Sequence, residues 1–264
     1  MVYGLNDTMA HDSVFLESYA KFYSLFNPGT DFHNPRALLT PLAITPNNVE
    51  LVRMLNVDYV FHKEDVTGTK IDSSSFDSNL LEYVRKEGGR HILRLKNPLP
   101  RAFFVERTKI IPESEVMAQM GSGNFNAKSV SYLSDDLDVE KDSALLPPVF
   151  GAKDKVEYQP AGPNSFVLNY SSESKMRPVF ISNVFYPGWK AVTSEGKELQ
   201  IHKVNLAFML VFVPPSKNGK IIFSYSPSHF LIYLSISLIS FLGLITILIF
   251  SDKLSARVKD HLRI

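Results

Sequence analysis

The chain has 264 residues, a formal net charge of +1 and 45% hydrophobic residues, including 19 Phe. This composition is sufficient for a hydrophobic core and excludes global disorder, and the near-neutral charge gives no reason to expect a nucleic-acid partner. The chain contains no cysteine, which excludes disulfide bonds, thiolate catalysis and cysteine-ligated metal sites.

Residues 1–90 are predicted to form a small mixed α/β segment. Aromatic residues recur at helical spacing between Phe15 and Phe26, which predicts a helix over 13–26 that Asn27-Pro28-Gly29 ends.

A second helix is predicted to begin at Thr45, with Thr45 as its N-cap and Pro46 at its first position. Its apolar residues Val49, Val52 and Leu55 are expected to be buried. Asn56 then leads into a short apolar strand over 59–61.

Residues 91–228 change to a pattern of short strands separated by Pro, Gly and Asn. This pattern predicts an antiparallel β-sandwich, and the chain as a whole is therefore assigned to the α+β class. An acidic loop over 135–142 is expected to be solvated. The predicted strands cover 91–95, 102–111, 129–133, 165–170, 178–183, 189–193, 199–204, 207–213 and 221–225.

The only tryptophan, Trp189, follows a predicted turn at Tyr186-Pro187-Gly188. Proline presets φ in such a turn and glycine accepts a positive φ. Ser194-Glu195-Gly196 is expected to close a hairpin behind the tryptophan. Trp189 either packs in the core beneath this hairpin, which the pattern favours, or forms with Tyr186 a platform for the apolar face of a sugar.

Residues 229–251 are predicted to form a transmembrane helix. Fifteen of the 21 residues in 230–250 are Phe, Leu or Ile, and none is charged. At a rise of 1.5 Å per residue this stretch spans about 31 Å, which matches the hydrocarbon thickness of a bilayer.

The charges beside this helix predict its orientation. Four basic residues lie in the tail 252–264, whereas 224–229 contain no Lys or Arg. The positive-inside rule then places the C-terminus in the cytoplasm and 1–229 outside the cell membrane. The N-terminal sequence has no signal-peptide pattern, so we expect the chain to be the last part of a longer, multi-spanning protein.

The sequence predicts no catalytic residue, no metal site and no cofactor. The seven histidines, at 11, 33, 62, 91, 202, 229 and 261, show no metal-ligand spacing. The Gly121-Ser122-Gly123 segment lacks the rest of a phosphate-binding loop, and a nucleophile elbow is absent from the sequence.

Several segments resemble the C-terminal region of the YfhO family of bacterial membrane proteins, which are of the GT-C glycosyltransferase type. The most specific segment is NVFYPGWKA. Similar segments elsewhere in the chain are MVYGLNDTMAHDSVFLESYAKFY, MLNVDYVF, LPRAFFV, VNLAFMLVFVPP and IIFSYSPSHF.

This resemblance implies a parent protein that moves sugar from a polyprenyl-phosphate carrier to an envelope polymer. It places the catalytic carboxylate in a loop between membrane helices that are not part of this sequence. The expected partners are the lipid bilayer, the upstream membrane helices, and a lipid-linked sugar or envelope glycan. The alternative is a non-catalytic, membrane-anchored β-sandwich that binds envelope glycan or a protein.

Overall fold

The computed structural model describes residues 16–26, 44–63, 76–133, 154–173, 176–227 and 230–261. These ranges contain four helices and fourteen strands. The helices are α1 (Glu17–Ser24), α2 (Val49–Met54), α3 (Glu113–Gly121) and α4 (Phe230–His261). The strands are β1 (Tyr59–Lys63), β2 (Leu81–Glu87), β3 (Arg90–Leu95), β4 (Ala102–Phe104), β5 (Arg107–Ile110), β6 (Val130–Leu133), β7 (Lys155–Gly162), β8 (Ser165–Ser172), β9 (Arg177–Val184), β10 (Trp189–Thr193), β11 (Glu198–Leu199), β12 (Ile201–Val204), β13 (Phe208–Val213) and β14 (Ser216–Tyr225).

The strands described form three sheets, in the orders β1-β3-β2, β11-β10-β14-β8-β7 and β4-β9-β13-β12-β6-β5. Their pairing is antiparallel except between β5 and β6. The predicted α+β class with one C-terminal apolar helix is therefore confirmed. The three-stranded sheet pairs β3 with both β1 and β2, so it joins strands from the two sides of the boundary predicted at residue 90.

Strand β13 is buried along its whole length and takes part in two hydrophobic clusters. Successive side chains of a strand point to opposite faces. Met209, Val211 and Val213 accordingly join one cluster. Phe208, Leu210 and Phe212 join the other.

The first cluster lies between the five-stranded and six-stranded sheets. Phe166 of β8 stacks on Phe223 of β14, with ring centroids 4.4 Å apart. The six-stranded sheet contributes residues such as Val179 and Ile181 of β9. Apolar side chains of both sheets are thus removed from water together, which is the main favourable contribution to folding.

The second cluster joins the other face of the six-stranded sheet to the three N-terminal helices and the three-stranded sheet. Phe22 of α1 meets the ring of Phe208 edge-on, at a centroid distance of 4.8 Å. Phe22 and Phe26, two of the aromatic residues at helical spacing, are buried. The helix is shorter than the predicted 13–26, because Leu16 has an extended backbone and α1 begins at Glu17 and ends at Ser24. Phe15 lies outside the described residues.

The predicted start of the second helix is wrong. Thr45 does not cap it. The carbonyl of Thr45 accepts hydrogen bonds from the amides of Asn48 and Val49, and the amide of Thr45 donates to Oδ1 of Asn48 (2.8 Å). Pro46 therefore lies in this turn and not in the helix, and α2 begins at Val49. Leu55 is only half-buried, whereas Val49 and Val52 are buried as expected.

The strand predicted over 102–111 is divided into β4 and β5, which pair at opposite edges of the six-stranded sheet. The amide of Val105 still donates to the carbonyl of Pro178 in β9, but that of Glu106 donates to the carbonyl of Lys128 near β6. Only two residues join β4 to β5, so the end of β4 at one edge of the sheet lies within about 11 Å of the start of β5 at the other edge. The sheet therefore curls almost closed.

The strand predicted over 199–204 is divided in the same way at Gln200. Its first part, β11, pairs with β10 in the five-stranded sheet, as the predicted hairpin requires. Its second part, β12, pairs with β13 in the six-stranded sheet. Gln200 is therefore a crossover between the sheets. The acidic loop predicted at 135–142 lies outside the described residues.

Asn205 is a buried polar residue that fixes the turn between β12 and β13. Its φ is +49°, a conformation that Asn accepts more readily than most residues. Its side-chain Oδ1 accepts a hydrogen bond from the amide of Tyr132 (2.8 Å), and its own amide donates to the carbonyl of Tyr132 (2.9 Å). The turn is thereby attached to β6.

Asn205→Ala should lower the free energy of unfolding by about 1–3 kcal/mol, because the buried amide of Tyr132 loses its acceptor. Urea unfolding of the full chain in detergent, followed by Trp189 fluorescence, measures this change. Asn205→Gly keeps the positive φ and should cost less than Asn205→Ala. Asn218→Ala, at an exposed asparagine, should change stability by less than about 0.5 kcal/mol. Equal stability of Asn205→Ala and the natural chain would contradict this role.

Candidate functional site

The turn before Trp189 has the geometry that the sequence predicts. Gly188 has φ +112°, and the amide of Trp189 lies 3.5 Å from the carbonyl of Tyr186. A Cβ at Gly188 would lie only 2.8 Å from the carbonyl oxygen of Ser226. Glycine is therefore required both by the backbone conformation and by the close approach of the chain that leads into α4.

Trp189 lies at the end of the cluster between the two larger sheets. It is opposite Tyr225 in the β10–β14 pairing, with ring centroids 5.5 Å apart, and its ring is 5.4 Å from that of Phe166. The residue is half-buried. One part of the indole therefore packs on the core, as the sequence favours, and the other part remains accessible.

The accessible part of Trp189 lines a groove with a volume of about 450 Å³. This groove lies between two of the places where the chain crosses from one larger sheet to the other, namely the turn 185–188 and Gln200. Tyr186 is 44% exposed, so a ligand can reach its ring. The lining residues are Phe185, Tyr186, Pro187, Gly188, Trp189, Lys190, Glu198, Leu199, Gln200 and Ile201.

The structure thus brings together both predicted site residues, Tyr186 and Trp189, in one groove. It adds three polar side chains that the sequence did not indicate, those of Lys190, Glu198 and Gln200. Lys190 follows Trp189 in β10, whereas Glu198 and Gln200 reach the groove through the crossover at Gln200, which the strand pattern does not reveal. Aromatic faces with amide, carboxylate and ammonium groups are suited to a ligand that has apolar faces and hydroxyl groups.

The groove lies close in the chain to the apolar helix. The amide of Ser226 donates to the carbonyl of Gly188 (3.0 Å), and the amide of Phe230 donates to the carbonyl of Pro227 (3.1 Å). Helix α4 begins at Phe230. Within it, Ile232–Phe250 is long and apolar enough to cross a membrane, with a mean hydropathy of 2.4 and no part of it buried against the rest of the chain.

The buried ionisable side chains that the structure describes pack in the interior of the domain and do not line the groove. In the part of the chain that the structure describes, no cluster of three or more His, Asp or Glu side chains is placed to hold a metal ion. Arg177 and Asp154 form a buried ion pair (3.5 Å) at the start of β9, and Arg177 lies over the ring of Phe104. His91 and His202 are buried in the core.

The chain matches no protein-family model, no curated protein and no solved structure. The groove and the apolar helix are therefore the features on which a functional interpretation depends.

Trp189→Ala should destabilise the chain, because the indole closes one end of the core. The cost should be below the roughly 3–5 kcal/mol of a fully buried aromatic residue, since part of the indole faces the groove. Trp189→Phe retains the contacts with Phe166 and Tyr225 and should cost less. Urea unfolding followed by far-UV circular dichroism measures both. Unchanged stability of Trp189→Ala would show that the indole serves the groove alone.

Proposed function

We propose that residues 1–229 form an extracytoplasmic accessory domain at the end of a multi-spanning, glycosyltransferase-like membrane protein of the YfhO type. In this proposal the two larger sheets form the β-sandwich core, α4 crosses the cell membrane, and the basic tail lies in the cytoplasm. The groove at Tyr186 and Trp189 contacts the sugar part of a lipid-linked donor or of an envelope polymer.

The composition of the groove is the observation that carries this proposal. Its volume of about 450 Å³ lies in the range of small-molecule sites. The rings of Tyr186 and Trp189 offer faces on which the C–H groups of a sugar can pack. Glu198 and Gln200 offer acceptors and donors for hydroxyl groups, and Lys190 adds donors for hydroxyl oxygens.

The position of the groove supports a ligand held at a membrane. Ser226, whose amide is bonded to Gly188, is separated from the first residue of α4 by three residues. Four residue steps span at most about 14 Å. A sugar on a lipid carrier therefore lies at a level that the groove can reach.

Sugar binding can be measured by the fluorescence of Trp189, because it is the only tryptophan of the chain. Its fluorescence in the full chain in detergent should change saturably during titration with soluble neutral oligosaccharides such as maltotriose and triacetylchitotriose. Tyr186→Ala should weaken binding roughly two- to tenfold, the equivalent of about 0.5–1.5 kcal/mol for one aromatic contact.

Tyr59→Ala is the matched control, because Tyr59 is 49% exposed, close to the 44% of Tyr186, but lies on the three-stranded sheet. It should leave binding unchanged. Equal weakening by both substitutions, or saturable binding that Tyr186→Ala does not affect, would show that the groove is not the sugar-binding site.

The proposed orientation is tested by single cysteines, for which the cysteine-free chain is a clean background. Lys217→Cys should react with a membrane-impermeant maleimide in intact cells. Lys259→Cys should react only after permeabilisation. Labelling at position 259 in intact cells would reverse the orientation.

The alternative function is a non-catalytic, membrane-anchored module that binds envelope glycan or a protein. The accessory-domain proposal predicts that residues 1–264 alone transfer no sugar from a polyprenyl-phosphate donor. It also predicts that a chain extended by the upstream membrane helices transfers sugar from this donor. Turnover by residues 1–264 that Asp12→Asn abolishes would contradict an accessory role. Inactivity of both proteins would favour the anchored module.

A further inference from the structure

The end of the five-stranded sheet from which α4 departs is formed by four strands. Strand β14 ends there at Tyr225, opposite the first residue of β10, Trp189. Strand β8 begins at the same end, because Ser165 is opposite Ser224. The hairpin that joins β7 to β8 also lies there, since the amide of Tyr225 donates to the carbonyl of Asn164 (2.9 Å).

The outermost residues at this end of the domain carry no charge. The segments 158–172, 178–189 and 221–251 contain no Lys, Arg, Asp or Glu, and the charged side chains of Lys190 and Glu198 lie beside them in the groove. The opposite ends of the same strands are charged, as shown by Lys155 at the start of β7, Glu173 after β8 and Lys217 in β14. The domain is therefore polarised along its strands.

The outermost residues at this end are aromatic and small. Tyr186 and the four residues of the hairpin tip, 161–164, are exposed, and Trp189 and Tyr225 are half-buried. Tyr and Trp are enriched where proteins meet the headgroup region of a bilayer, because one part of each ring is apolar and the other can form hydrogen bonds.

We propose that this end, consisting of 161–164, Tyr186–Pro187 and 225–227, rests on the headgroups of the outer leaflet. The lipid surface is the occupant that the structure favours, because the surface is continuous with α4 through Ser226 and Pro227. These contact residues carry no charge, so the contact avoids the cost of desolvating ions at that depth. This inference rests on the membrane span proposed above and adds a second, non-spanning contact with the bilayer.

Single-tryptophan variants test this contact in the full chain reconstituted into phosphatidylcholine vesicles. In the Trp189→Phe background, Asn164→Trp places the indole at the hairpin tip. Asn218→Trp places an indole at the far end of β14, about 23 Å from Tyr225 at the usual rise per residue. Both positions are exposed. The quencher is a phosphatidylcholine brominated on the acyl chain near the headgroup.

Replacing the vesicle lipid by the brominated lipid should decrease the fluorescence intensity of Asn164→Trp. In unbrominated vesicles the emission maximum of Asn164→Trp should lie at a shorter wavelength than that of Asn218→Trp. The fluorescence of Asn218→Trp should stay unchanged. Circular dichroism confirms that both variants are folded. Equal quenching at the two positions would overturn the proposal, because only one end of the domain can lie at the bilayer.

Tyr233→Trp in the same background separates failure of this inference from failure of the proposed span. Quenching at position 233 without quenching at position 164 would show that α4 is inserted and that the domain stands away from the bilayer. Absence of quenching at position 233 would overturn the span and this contact together.

Discussion

Burial of β13 on both faces is the constraint on which the rest of the structure depends. Its six residues contain no polar side chain, and their alternation assigns three of them to each hydrophobic cluster. Full burial of such a side chain contributes roughly 1.5–3 kcal/mol, so the strand as a whole is comparable with the net stability of a domain, about 5–15 kcal/mol. The five-stranded sheet on one side and the N-terminal helices on the other therefore both depend on this strand.

The groove is a consequence of how the chain moves between the two larger sheets. Two of the short crossovers, at 185–188 and at Gln200, border an end of the core where Trp189 is only partly covered. The same end continues into α4 through Ser226, whose carbonyl lies so close to Gly188 that only a glycine fits. Packing thus explains why a tryptophan stands at position 189, and the close approach of the Ser226 backbone explains the glycine at position 188. The exposed ring of Tyr186 is not required by packing.

Local patterns identified the turn at Tyr186-Pro187-Gly188, the apolar helix and most strands, because each depends on residues that are neighbours in sequence. Strand pairing could not be read in this way. The strand patterns at 102–111 and 199–204 contain no turn signal and so conceal changes of partner at Val105–Glu106 and Gln200. Strand β7 was missed since it is an edge strand with charged residues and Pro160, and α3 has only two buried residues to mark its face. Glu198 and Gln200 were missed because their place in the groove depends on the crossover at Gln200.

Native-state hydrogen exchange of the full chain in detergent tests the central role of β13 most directly. If both clusters depend on this strand, the slowest amides of β3 and β8 should exchange with the same free energy of opening as those of β13, because one global unfolding event exposes them all. Exchange of the β3 amides at a free energy several kcal/mol lower, while β8 and β13 remain protected, would contradict this account. It would show that the N-terminal layer opens as an independent unit.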